Sequence, residues 1–84
     1  DEAMRMLDWG KTVEDIKRTG RAFGRFGALG HLDGRLWAIY HFNGWTEAHQ
    51  YRPGDVVCVL SREIVVAAKD GFICIKDFQE LPQS

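Results

Sequence analysis

The chain has 84 residues, 45% of them hydrophobic, and a formal net charge of −1. A chain this short buries only about 60–65% of its unfolded surface, enough for one small core and too little for two domains. The apolar content argues against disorder, and near-neutrality removes the basic excess that marks strong non-specific nucleic-acid binding.

The elements follow in chain order. Leu7-Asp8-Trp9-Gly10 reads as a short extended lead. Thr12 then suits a helix N-cap, because its hydroxyl can accept a bond from a free first-turn amide, and Asp15 stands where a capping-box acid would. Val13, Ile16, Gly20 and Phe23 fall at helical spacing and form one apolar stripe. Gly20 either permits close packing or ends the helix early. Gly24 and Gly27 stop the helix, and the period becomes strand-like. Ala28 to Leu32 and Arg35 to Phe42 flank Asp33-Gly34, a strong two-residue hairpin signal. In the second strand, alternation puts Leu36, Ala38, Tyr40 and Phe42 on one face and Trp37, Ile39 and His41 on the other.

Asn43-Gly44 reads as a further turn, and Trp45 to Arg52 as a polar loop. Pro53-Gly54 leads into Asp55 to Leu60, Ser61-Arg62 connects to Glu63 to Ala68, and Lys69-Asp70-Gly71 turns into Phe72 to Phe78. Short strands separated by turn signals indicate a mainly β fold with one N-terminal helix, a small open OB-like barrel of about five to six antiparallel strands. Residues 1–84 form a single domain on this reading.

Candidate sites are few. Lys17, Arg18, Arg21 and Arg25 lie off the apolar stripe and could form a cationic face for phosphates, or simply a solvated face beside Glu14 and Asp15. Trp45 and Tyr51 are candidates for stacking on nucleic-acid bases, against the alternative that the aromatics of this region are core and Trp45 seals the barrel mouth. His31, His41, His49 and Glu47 match no common metal-ligand spacing. Cys58 and Cys74 sit in apolar runs and read as buried free thiols rather than nucleophiles or a disulfide. No run approaches the ~20 apolar residues of a membrane span. Asp1-Glu2-Ala3 and Leu81-Pro82-Gln83-Ser84 suggest a piece cut from a longer, cytoplasmic protein.

The ordered set Asp8-Trp9, Arg21-Ala22-Phe23, Gly27-Ala28, Asp33-Gly34 with Leu36-Trp37-Ala38-Ile39, Pro53-Gly54-Asp55-Val56-Val57, Val65-Val66-Ala67 and Asp70-Gly71-Phe72-Ile73-Cys74-Ile75 resembles the C-terminal domain of the folate-dependent formyltransferases. That group includes methionyl-tRNA formyltransferase and the sugar N-formyltransferases. The resemblance implies an accessory domain behind an N-terminal catalytic formyltransferase domain. That other domain would bind 10-formyltetrahydrofolate and hold an Asn-His-Asp group. Neither that group nor a His-x-Ser-Leu-Leu-Pro stretch is found here, so no catalytic or cofactor residue is assigned to this chain. Gly24-Arg25-Phe26 replaces the family's usual proline after Arg-Ala-Phe, and the acceptor stays open between tRNA and a nucleotide-linked or other small amine.

Three functions follow as expectations. In the first, the domain positions an amine substrate, with Asp8 and Trp9 contacting the catalytic domain and the helix cations meeting substrate phosphates. In the second, it is an RNA-binding module using the same cations and the stacking aromatics. In the third, it is an interaction or dimerisation domain using an apolar patch near a partly exposed Trp9.

Overall fold

A computed structural model describes residues 5–23 and 26–82, so the expectation for Arg25 lies outside the described residues. Among the described residues the helix α1 (Val13–Phe23) precedes five strands: β1 (Ala28–Leu32), β2 (Arg35–Thr46), β3 (Val56–Leu60), β4 (Glu63–Ala67) and β5 (Gly71–Glu80). All pairings between strands are antiparallel, in the order β1-β2-β5-β4-β3, and the sheet stays open between β1 and β3. The architecture is the mainly β, open barrel-like one expected, with five strands.

The helix forms where the stripe and cap predict. Val13, Ile16 and Gly20 are its buried residues. Two caps hold its N-terminus. Thr12 Oγ1 accepts the Asp15 amide at 3.2 Å, and Asp70 Oδ1, from the β4–β5 turn, accepts the Val13 amide at 2.8 Å. Gly20 does not end the helix. It lets α1 approach β2, since a Cβ there would collide with the Phe42 ring.

The β1–β2 turn has φ of 54° at Asp33 and 76° at Gly34, the mirror-image turn whose twist matches a hairpin. The Asn43-Gly44 turn expected next is absent. β2 runs straight through it to Thr46, paired with β5 down to Gly71. Gly44 is there for packing: a Cβ would lie 2.8 Å from Ile73 Cδ1 and 2.9 Å from Val13 Cγ1. The pairing with β5 is irregular between Ile39 and Phe42, and this bulge shifts the side-chain parity. Ile39 and Phe42 therefore both pack on the core, although simple alternation puts them on opposite faces.

The core centres on Ile16, Ile39, Val66, Ile73 and Ile75, each at most 1% exposed, with Trp37, Phe42, Ile64 and Phe78 packed around it. Trp9 is not left half-exposed. It is 8% exposed, its indole N–H donates to the His31 carbonyl at 3.0 Å, and its ring lies against Gly30 of β1 and Gly54 of the turn before β3. Trp9 thus fills one end of the seam where the barrel fails to close. The lead also covers the outer edge of β1, where the Leu7 amide donates to the Leu29 carbonyl at 2.7 Å.

Candidate functional site

β1 pairs with β2 only as far as Ile39, so β2 continues beyond the end of β1. The helix lies against this extension through Gly20–Phe42 and Val13–Gly44. Between the two elements runs an open groove of about 370 Å³, with Gly20 and Phe42 as its floor and Lys17, Arg21, Tyr40, His41 and Asn43 along its walls. Lys17 and Arg21 are one helical turn apart and share a flank. Arg21 meets Glu14 at 3.8 Å with both side chains 68% exposed, a pairing too solvated to neutralise it. Lys17 makes no ion pair among the described residues.

Arg18 does not join them. At 100° per residue it turns off that flank, pairs with Asp15 at 2.9 Å, and lines a separate hollow with Asp8 and Lys11. The expected face of four cations is therefore divided: Lys17 and Arg21 meet in the groove, and Arg18 does not. Tyr40, considered among the core aromatics, His41, considered as a metal ligand, and Asn43, expected in a turn, are instead groove residues. Strict alternation puts Tyr40 and His41 on opposite faces, and the bulge of β2 beside them has no signal in the sequence.

Asn43 and Trp45 project from the same face of β2, opposite Cys74 and Phe72 of β5. Trp45, 42% exposed, begins an aromatic cluster around Phe72, with ring centroids 5.7 Å apart. His49 lies 4.7 Å and Tyr51 6.0 Å from the same ring, and Tyr51 is 50% exposed. The two expected stacking residues thus share one cluster, held by Phe72 and His49. His49 is fully used: Nε2 donates to the Ala68 carbonyl at 2.7 Å, and Nδ1 accepts the Tyr51 amide at 3.0 Å. Those partners engage both ring nitrogens and leave neither for a metal. Among the described residues, no three His, Cys, Asp or Glu side chains gather as metal ligands. Nor is any helix there long and apolar enough to cross a membrane.

Both cysteines are free, and Cys58 is exposed rather than buried, because β3 is the last strand of the sheet. They flank Val65 from opposite sides, two strands apart, well beyond the reach of a disulfide. Cys74 is buried and donates its thiol hydrogen to Glu63 Oε2 at 3.2 Å. Burial first, and then the Glu63 carboxylate, push its pKa above the ordinary value, so the neutral thiol is favoured over a nucleophilic thiolate. Asp8 is exposed, and its carboxylate accepts the Gly10 amide at 2.9 Å, shaping the turn before α1.

Comparison with known proteins gives a consistent picture. The family model for the C-terminal domain of formyl transferases matches residues 1–82. The methionyl-tRNA formyltransferase of Clostridium novyi (strain NT) is 28% identical over 80 residues, covering 94% of this chain and 26% of that protein. HypX from Aquifex aeolicus, in complex with tetrahydrofolic acid, superposes with a TM-score of 0.84 at 19% identity, over 98% of this chain and 15% of that one. A variant of HypX superposes with a TM-score of 0.83 over 99% of this chain and 15% of that one. These structural likenesses show the fold. The chain spans about a quarter of the curated relative and a smaller share of HypX.

Proposed function

The chain belongs to the formyl transferase C-terminal domain family, and we propose that it is the non-catalytic accessory domain of a formyltransferase-like enzyme, holding a phosphate-bearing amine substrate beside an N-terminal catalytic domain. On this reading the catalytic domain binds 10-formyltetrahydrofolate, which supplies the formyl group that the amine receives. The tetrahydrofolic acid complex of HypX supports a folate donor. The setting is cytoplasmic one-carbon metabolism, and exposed Asp8 is the lead residue available to touch the catalytic domain.

One observation carries the reading: Lys17 and Arg21 converge with His41 and Asn43 on an open groove. Two cations one turn apart, with hydrogen-bonding side chains opposite, suit a phosphate or diphosphate. The test is steady-state kinetics of the enzyme carrying Lys17→Ala and Arg21→Ala together. Losing two charge-assisted contacts to an exposed phosphate should raise KM for the acceptor about tenfold, or about 1.4 kcal/mol, with kcat and KM for the formyl donor unchanged. An unaltered acceptor KM would remove the groove from the substrate path.

A tRNA acceptor is favoured by a second observation, the exposed Trp45 and Tyr51 standing next along the face that carries Asn43. Bases would stack on the cluster while the groove holds the backbone. Glu47, which accepts the Trp45 indole N–H at 2.8 Å, opposes this by placing a carboxylate there. Binding of RNA to the chain should weaken steeply with salt and fall on Trp45→Ala. If Trp45→Ala binds as tightly as the parent, a small nucleotide-linked amine is the better acceptor.

A further inference from the structure

The two edges of the sheet are treated differently. On β1 the lead covers Leu29, and the Trp9 indole takes the His31 carbonyl. On β3 nothing equivalent is present among the described residues: β4 pairs with one side, and the other side is the end of the sheet. Natural edge strands are normally protected by lysine, proline or a cover. β3 reads Val56-Val57-Cys58-Val59-Leu60, with neither residue in it. Val59 is 68% and Leu60 54% exposed, and beside Val56 and Val59 lies a hollow of about 280 Å³ lined by Leu32, Trp37 and Ile64 and by the charged Asp33 and Arg35.

The charges at the ends of this strand choose its partner. Asp55 precedes it and Arg62 follows it, at nearly equal distances from Cys58. An antiparallel second copy, related by a two-fold axis at Cys58, brings Asp55 of each strand beside the Ser61-Arg62 turn of the other. It also sets the two Cys58 side chains side by side. The contact is self-complementary and closes after two copies.

We propose that β3 is a self-association strand, pairing with β3 of a second copy of this chain to join the two five-stranded sheets into one. About that axis the whole of Val56–Leu60 takes part, Val57 facing Val59 and Val56 facing Leu60 of the other copy. This surface is separate from the groove of α1 and β2, so it neither rests on nor supports the substrate reading above.

Sedimentation velocity of the chain over a concentration series tests it. The expected result is a monomer–dimer equilibrium that is lost in Val59→Lys, whose exposed position should leave the circular dichroism spectrum unchanged. Leu60→Glu provides a second variant should the first misfold, and it too should be monomeric. Mild oxidation should crosslink the parent chain as a dimer through Cys58, and Cys58→Ser should abolish the crosslink. A chain that is monomeric throughout, a dimer indifferent to both charged variants, or open-ended oligomers would each overturn the proposal.

Discussion

Gly44 shows how much one residue can mislead and then explain. In the dipeptide Asn43-Gly44 it carries the strongest short turn signal, yet it lies inside β2 and its use is steric. A Cβ there would sit within 3.1 Å of the Phe72 carbonyl oxygen and closer still to Ile73 and Val13, so α1 and β5 both press on the same α-carbon. Glycine in a strand normally weakens it, and alanine would relieve that cost. Here overpacking wins. Gly44→Ala should destabilise the domain by about 1–3 kcal/mol, read as a lower urea midpoint at unchanged slope. An unchanged or higher midpoint would mean the helix can retreat without penalty. Lys17 and Arg18 make the same point about neighbours in sequence: one turns into the groove and the other onto Asp15, because a helix separates them by 100°.

At the scale of the element, α1 depends on contacts that no local signal reveals. Thr12 is legible as a cap from its position alone. Asp70 is not, since it lies 57 residues from the amide it accepts and reads locally as part of a turn. The two caps serve different amides, Asp15 and Val13, and together they tie the helix start to the β4–β5 connection. The Lys69 amide donates to the Lys11 carbonyl at 3.2 Å and completes that junction. Asp70→Ala should therefore cost about 0.5–2 kcal/mol, as much as Thr12→Ala. Chemical denaturation followed by helix ellipticity checks both. A stability loss confined to Thr12→Ala would mean that the distant carboxylate is idle.

For the whole molecule, the open seam between β1 and β3 is the decisive feature, and Trp9 is what fills part of it. Replacing a buried tryptophan by alanine costs about 3–5 kcal/mol. A domain of this size is stable by only about 5 kcal/mol or a little more, so Trp9→Ala should leave it with about 0–2 kcal/mol, marginally folded at room temperature. Trp9→Phe, which gives up chiefly the bond to His31, should cost about 0.5–1.5 kcal/mol beyond its smaller packing loss. Near-UV circular dichroism and thermal melts of the two variants check this. A stable Trp9→Ala chain would show that the lead is dispensable to the fold. The sequence alone determined the helix and its stripe, the turns at Asp33-Gly34 and Pro53-Gly54, the boundaries of β1, and the ordered motifs that point to the formyltransferase C-terminal domain. Those are local matters, because caps, periodicity and positive-φ turns act within a few residues of their cause. The length of β2, the parity shift of its bulge, the burial of Trp9, the division of the cations and the exposure of Cys58 were decided by tertiary structure. Each depends on which distant backbone lies alongside, as α1 does over Gly44 and as nothing described does along β3.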